Sequence, residues 1–368
     1  MVDTLYYKYD SVNHAMNDPK LTFAQRLTQA RKMRGLSLRA LAEKLEGKVS
    51  HNALHKYEQG QMMPDSEVLI AVCNALGRKP DFFFREGTVK LEAIEFRKRA
   101  ALGAKALTAL RESAADFFER YQEIEELLNV PAQFHNPLAD FVAHEERDVN
   151  AAAVKLRHEW KLGLDPIPSV VALLEERGIK VFEADAPESF EGFAGHSGEM
   201  PVMVLNQKRP SDRKRLTALH ELGHLTLRFH DRLFAPKDKE RLCHAFAGAL
   251  LIPEPVFVEA FGGHREQIAT RELVEMKIRY GMSCQAIMMR ARHLGLISQS
   301  TLQRFFILWR KWGYDRKEPG VYPLPEQAER FKTLVFRAAA NDEITLSKGA
   351  YLMDQPLLEF REALQLVA

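Results

Sequence analysis

The chain has 368 residues, more than a single hydrophobic core usually organises, so two or three domains are expected. Hydrophobic residues make up 46% and charged residues 28%; these ordinary globular values exclude a disordered or fibrous chain, and no apolar run reaches the roughly 20 residues of a membrane span. The 52 basic and 50 acidic residues nearly cancel to a net charge of +2, so overall charge assigns no partner.

Residues 1–22 read as an N-terminal tail without the basic flank and apolar stretch of a secretory signal. Cys73, Cys243 and Cys284 are far apart and form no C-x-x-C pair, which argues against a disulfide framework or a cysteine-rich zinc site. The expectation is a cytoplasmic protein with no membrane partner.

From Phe23 to Phe84 five short helical patches are separated by Gly35, Gly47, Gly60, Pro64 and Pro80. Ser37 caps a patch that turns Leu38, Leu41, Ala42 and Leu45 inward. After a turn, Ser50 opens a second helix that buries Ala53, Leu54 and Tyr57 and shows His51, Asn52, His55 and Lys56 to solvent. Two short helices with a polar, cationic second face suit a DNA major groove. The local charge adds little, since residues 1–90 hold 14 basic against 10 acidic side chains. Ala42, Ser50, Tyr57-Glu58-x-Gly60 and Pro64 together resemble the Xre/Cro helix-turn-helix family. The resemblance implies that residues 23–87 form a DNA-binding domain reading a double-stranded operator through His51, Asn52, His55 and Lys56.

Residues 88–130 read as a helical connector, one long amphipathic helix or two. Leu107, Leu110, Ala114, Phe117, Phe118, Tyr121, Ile124 and Leu128 recur on one face. That face suits either a homodimer seam or packing on the chain's own second domain. A domain boundary falls near residue 130, and Val149–Arg157 reads as a new helix. Gly178–Glu183 and Met200–Asn206 carry strand patterns between glycine and proline breaks. Val202 to Asn206 is the candidate edge for receiving an extended substrate.

The sharpest motif is His220-Glu221-Leu222-Gly223-His224 in an apolar helical run. Two histidines four residues apart share one helix face, so both imidazoles reach one Zn²⁺ and Glu221 is left as general base. A catalytic zinc needs a third protein ligand, and two candidates follow. His230 has the right offset for an H-E-x-x-H-x-x-G-x-x-H arrangement, but Leu227 stands where that arrangement needs glycine. Glu240, on a second helix running to Pro253, is preferred, with Ala247, Gly248 and Ala249 permitting close helix approach.

The surrounding residues resemble the ImmA/IrrE metallopeptidase family. They are Phe96-Arg97, Arg213-Lys214-Arg215-Leu216-Thr217, Glu240-x-x-Cys243-His244-x-Phe246-Ala247, Leu250-Leu251-Ile252-Pro253 and Arg290-Ala291-x-x-Leu294-Gly295-Leu296-Ile297-Ser298. The resemblance implies one zinc per chain on His220, His224 and Glu240, with Glu221 catalytic, His244 and Arg213 as supporting groups, and a helix-turn-helix repressor as the kind of protein cut. Many members have Ala-Asn where this chain has Cys243-His244, which leaves His244 as supporting group, transition-state donor or filler.

Residues 131–300 are therefore expected to form a zincin-like metallopeptidase domain and 301–368 a helical C-terminal region. Met282, Met288 and Met289 read as core filler, as do Trp309 and Trp312 at helical spacing. The fold class is mainly α with a small β-sheet, α+β. The function expected is a DNA-binding regulator whose zinc-dependent endopeptidase domain cuts a protein partner or itself. The alternative is a non-enzymatic, antitoxin-type repressor whose metal-site domain senses a signal or grips a partner such as a toxin.

Overall fold

The computed structural model describes residues 18–89, 91, 103–230 and 235–365. Phe96-Arg97 lies outside them. The chain divides into two compact units, residues 1–120 and 121–368, so the division falls ten residues ahead of the expected boundary and inside a helix. Throughout, helices dominate and the sheets are small.

The first unit begins with α1 (Pro19–Met33), α2 (Leu38–Lys44), α3 (His51–Glu58) and α4 (Ser66–Leu76). Asp18, Ser37, Ser50 and Asp65 cap their N-termini, each side chain accepting a backbone N–H that the helix leaves unpaired. The expected fifth helix is a 3-10 turn over Pro80–Phe84, which inserts Phe82 and Phe83 into the core. Phe23, Leu27, Leu41, Leu54 and Val72 fill that core from the four helices. Arg31 grips Glu58 through two hydrogen bonds of 2.6 and 2.7 Å, which fixes α3 against α1. Helix α5 (Ala104–Leu127) is single. Just past its middle Asp116 and Glu119 receive Arg85 at 2.8 and 2.9 Å, and Glu119 also pairs with Arg26 at 2.8 Å. Of its apolar face, Leu110, Ala114, Phe118, Tyr121 and Ile124 are buried, and Leu107, Phe117 and Leu128 are partly exposed.

In the second unit, β1 (Val142–Ala143) pairs in parallel with β5 (Arg228–Phe229). A three-stranded sheet joins β2 (Lys180–Ala184), β3 (Gly192–Ser197) and β4 (Met200–Asn206) in the order β2-β4-β3. β2 and β4 run parallel, β3 and β4 antiparallel. Val202–Asn206 is therefore the central strand, with both edges occupied, and cannot be the substrate-receiving edge expected from the sequence. The Gly-Phe-Ala-Gly-His-Ser sequence of β3 lacks the branched residues that betray a strand.

Helix α8 (Ser211–Thr226) packs on β3 and β4 with Ala218, Leu219 and Leu222 fully buried. Helix α9 (Pro236–Leu251) packs on α8 and on α6 (Glu146–Glu159). Helices α7 (Val170–Glu176), α10 (Glu254–Phe261), α11 (Thr270–Tyr280), α12 (Cys284–His293) and α13 (Gln299–Lys311) complete the shared core, which α14 (Arg330–Ala340), α15 (Leu346–Leu352) and α16 (Leu357–Leu364) follow. Trp309 belongs to that core, whereas Trp312 is half exposed beyond the end of α13.

The segment between α13 and α14 bears two acidic clamps. Glu318 accepts the Cys284 and Gln285 amides at 2.9 and 3.1 Å, capping α12, and meets Lys277 at 3.2 Å. Glu326 accepts the Val170 and Val171 amides, both at 2.9 Å, capping α7, and pairs with fully buried Arg215 of α8 at 2.7 Å. Residues 301–368 thus do not stand as a separate body; they hold the base of the metal-motif helix.

Candidate metal centre

Helix α8 presents His220 and His224 on one face, as their four-residue spacing requires. Glu240 comes from the second turn of α9. The three donors converge: His220 Nε2 lies 3.0 Å from Glu240 Oε2, His224 Nε2 lies 3.2 Å from His220 Nε2, and His224 Nε2 lies 3.3 Å from Glu240 Oε1. Ligand atoms about 2.0–2.1 Å from a tetrahedral zinc sit about 3.3 Å from one another, so the donor set fits that ion. Hydrogen bonds from His220 and then His224 hold the Glu240 carboxyl well below the usual carboxylate range, so it is an anion ready to ligate.

The close approach that delivers Glu240 depends on Gly223. A Cβ there would meet Cys243 Sγ at 3.2 Å and Phe246 Cδ1 at 3.3 Å. Of the expected small residues, Gly248 faces elsewhere, for a Cβ on it would meet Arg290 Cδ of α12 at 3.5 Å. The short residue that matters lies inside the histidine motif itself.

Glu221 is buried and directed to the sheet, where its Oε2 accepts the Ala194 amide of β3 at 3.1 Å. This bond fixes the carboxylate beside the free edge of β3, a link the sequence did not suggest because β3 itself was not foreseen. His244 stacks on His220 with ring centroids 4.0 Å apart. His220, Glu240 and His244 form a second grouping with donor atoms within 4.8 Å; the shorter distances to His224 make His224 the better third ligand and His244 its neighbour. His220 Nδ1 is buried with no hydrogen-bond partner among the described residues, so its ring is oriented by packing on His244. Cys243 Sγ lies 3.6 Å from His224 Nδ1, which gives the departure from Ala-Asn a structural place.

The disfavoured ligand candidate His230 and the expected supporting residue Arg213 both stand elsewhere. The His230 ring packs on His144, centroids 4.4 Å apart, and its amide joins Ala143 in the β1–β5 pairing. Arg213 is largely exposed and pairs with Glu191 at 3.2 Å, so it does not support the histidines. It is the first turn of α8, not the turns bearing His220 and His224, that carries this arginine.

In the first unit His51, Asn52, His55 and Lys56 are all exposed on α3, while Leu54 and Tyr57 are buried on its opposite face. Arg39 and Lys44 on α2 are exposed as well, adding cations that the sequence reading passed over although their place on the polar face was visible.

Residues 27–83 match the helix-turn-helix family, and residues 174–292 match the family of IrrE N-terminal-like domains, a peptidase family. The second match runs from α7 to α12 and contains every member of the metal cluster. No curated protein matches the chain. The chain thus joins an Xre-like DNA-binding domain to an ImmA/IrrE-like peptidase-family domain, the composition of a regulator with a peptidase-like domain.

Proposed function

We propose that this regulator is a zinc-dependent endopeptidase that cuts a protein partner, with an operator-binding helix at α3. The observation that carries this reading is the convergence of His220, His224 and Glu240 with Glu221 beside them at a sheet edge. One zinc per chain would be held by His220, His224 and Glu240, supplying Lewis-acid polarisation of a peptide carbonyl. The chain's own residues do the rest. An extended peptide adds to the outer edge of β3 by backbone hydrogen bonds, which aligns it along α8. Glu221, held by the Ala194 amide, takes the proton from the attacking water and returns it to the leaving amine nitrogen. His51, Asn52, His55 and Lys56 enter the major groove as a group, with Arg39 and Lys44 placed for phosphates.

Glu221→Gln tests the enzymatic step. Glutamine keeps an acceptor for the Ala194 amide but removes the base, so the variant should retain zinc and operator binding while cleavage of the partner falls by at least about 100-fold. Unaltered cleavage would refute the assignment.

A further inference from the structure

His220 and His224 both turn Nε2 towards the shared centre, which leaves Nδ1 of each ring facing the protein. The two Nδ1 atoms are treated differently. His220 Nδ1 is buried with no hydrogen-bond partner among the described residues, and its ring packs on His244. His224 Nδ1 lies 3.6 Å from the sulfur of Cys243, a contact that a ring N–H can use as a weak hydrogen bond. Cys243 is fully buried and in no disulfide. It stands three residues after Glu240 on α9, a spacing that sets both side chains on the face turned to α8. Gly223 makes the approach possible, since a Cβ there would stand 3.2 Å from the Cys243 sulfur. A histidine ring turns readily about its outer torsion, whose wells are broad and roughly two-fold, and half a turn would set a carbon where Nε2 now stands. When Nε2 offers its lone pair to a metal, the ring proton resides on Nδ1 and calls for an acceptor, which then fixes the ring.

We propose that Cys243 is a positioning residue of the metal centre: its sulfur accepts the Nδ1–H of His224 and holds the ring with Nε2 on the metal side. The inference rests on the zinc reading of His220, His224 and Glu240 and names a residue that supports it. The sulfur lies on the Nδ1 side of the ring, away from the shared centre, so Cys243 acts through His224 and supplies no ligand of its own.

Zinc affinity of the full-length protein, measured by competition with a chromogenic chelator, tests the role of Cys243. Cys243→Ala should bind zinc about tenfold or more weakly than wild type. Cys243→Ser keeps an acceptor in nearly the space of alanine and should bind at least about threefold more tightly than Cys243→Ala, a difference that packing alone would not produce. With cobalt in place of zinc, the visible spectrum should shift in Cys243→Ala and return towards wild type in Cys243→Ser. A further measurement needs no variant: in zinc-loaded wild type with isotope-labelled histidine, the His224 Nδ1–H should give a ring N–H resonance that exchanges slowly with solvent, and its absence would overturn the proposal. Equal weakening in both variants, or none in either, would overturn the role of Cys243 and leave the metal centre standing; a wild type that takes up no zinc would overturn both.

Discussion

Gly223 shows how much one side chain position governs here. It lies between base and ligand in His220-Glu221-Leu222-Gly223-His224, and the absence of a Cβ lets Cys243 and Phe246 bring α9 onto α8, which places Glu240 at 3.0 Å from His220. A different residue-scale effect arises at Glu175. This carboxyl is 3% exposed and accepts the Glu329 and Arg330 amides at 3.2 and 3.1 Å; burial nevertheless pushes its pKa from 4.5 up to about 7. The folded protein therefore keeps a proton on Glu175 that the unfolded chain releases above about pH 4.5, so stability falls as pH rises towards 7 and stays lower above it. The loss is on the order of 3 kcal/mol. Urea titrations of wild type and Glu175→Gln at pH 5 and pH 8 check this: the variant should lose less stability between the two pH values, and an identical pH dependence would exclude Glu175 as its source. The histidine motif and Glu240 were legible because helical periodicity turns spacing into position. The roles of Gly223 and Glu175 were not, because each depends on a neighbour distant in sequence.

At the scale of elements, amphipathic periodicity revealed α3 and α8, and Ser37 and Ser50 marked helix starts that the structure bears out. The strand β3 escaped notice because two glycines and small residues give it no alternation, and its pairing partner β4 was consequently mistaken for an edge. If α3 is the operator-reading helix proposed above, replacing His51, Asn52, His55 and Lys56 together with alanine should weaken operator binding by at least about tenfold in a mobility-shift titration at fixed salt. Undiminished affinity would move recognition to another face. The clamp between α13 and α14 makes a separate prediction. Arg215 and Glu326 are both fully buried, and removing one partner of a buried pair strands the other charge at a cost of about 3–5 kcal/mol. Glu326→Ala should therefore lower the stability of the second unit by about that amount in calorimetric or denaturant melts, whereas the Arg215→Met, Glu326→Met pair should recover part of it. Glu326→Ala melting like wild type would show that the clamp carries no weight.

Across the whole molecule, the helix-turn-helix domain and the cluster of His220, His224 and Glu240 occupy separate compact units of one chain. Among the described residues no single helix is long and apolar enough to cross a membrane. The two-part organisation was visible because each part has its own dense motif, whereas the C-terminal residues, lacking one, revealed their purpose only through Glu318 and Glu326. The account as a whole depends on a metal held by His220, His224 and Glu240. Elemental analysis of the purified full-length chain tests this most directly, comparing wild type with Glu240→Ala and His230→Ala. One zinc per chain in wild type and His230→Ala, with most of it lost in Glu240→Ala, is the result predicted; a wild type without metal, or one whose metal is lost with His230 and kept without Glu240, would contradict it.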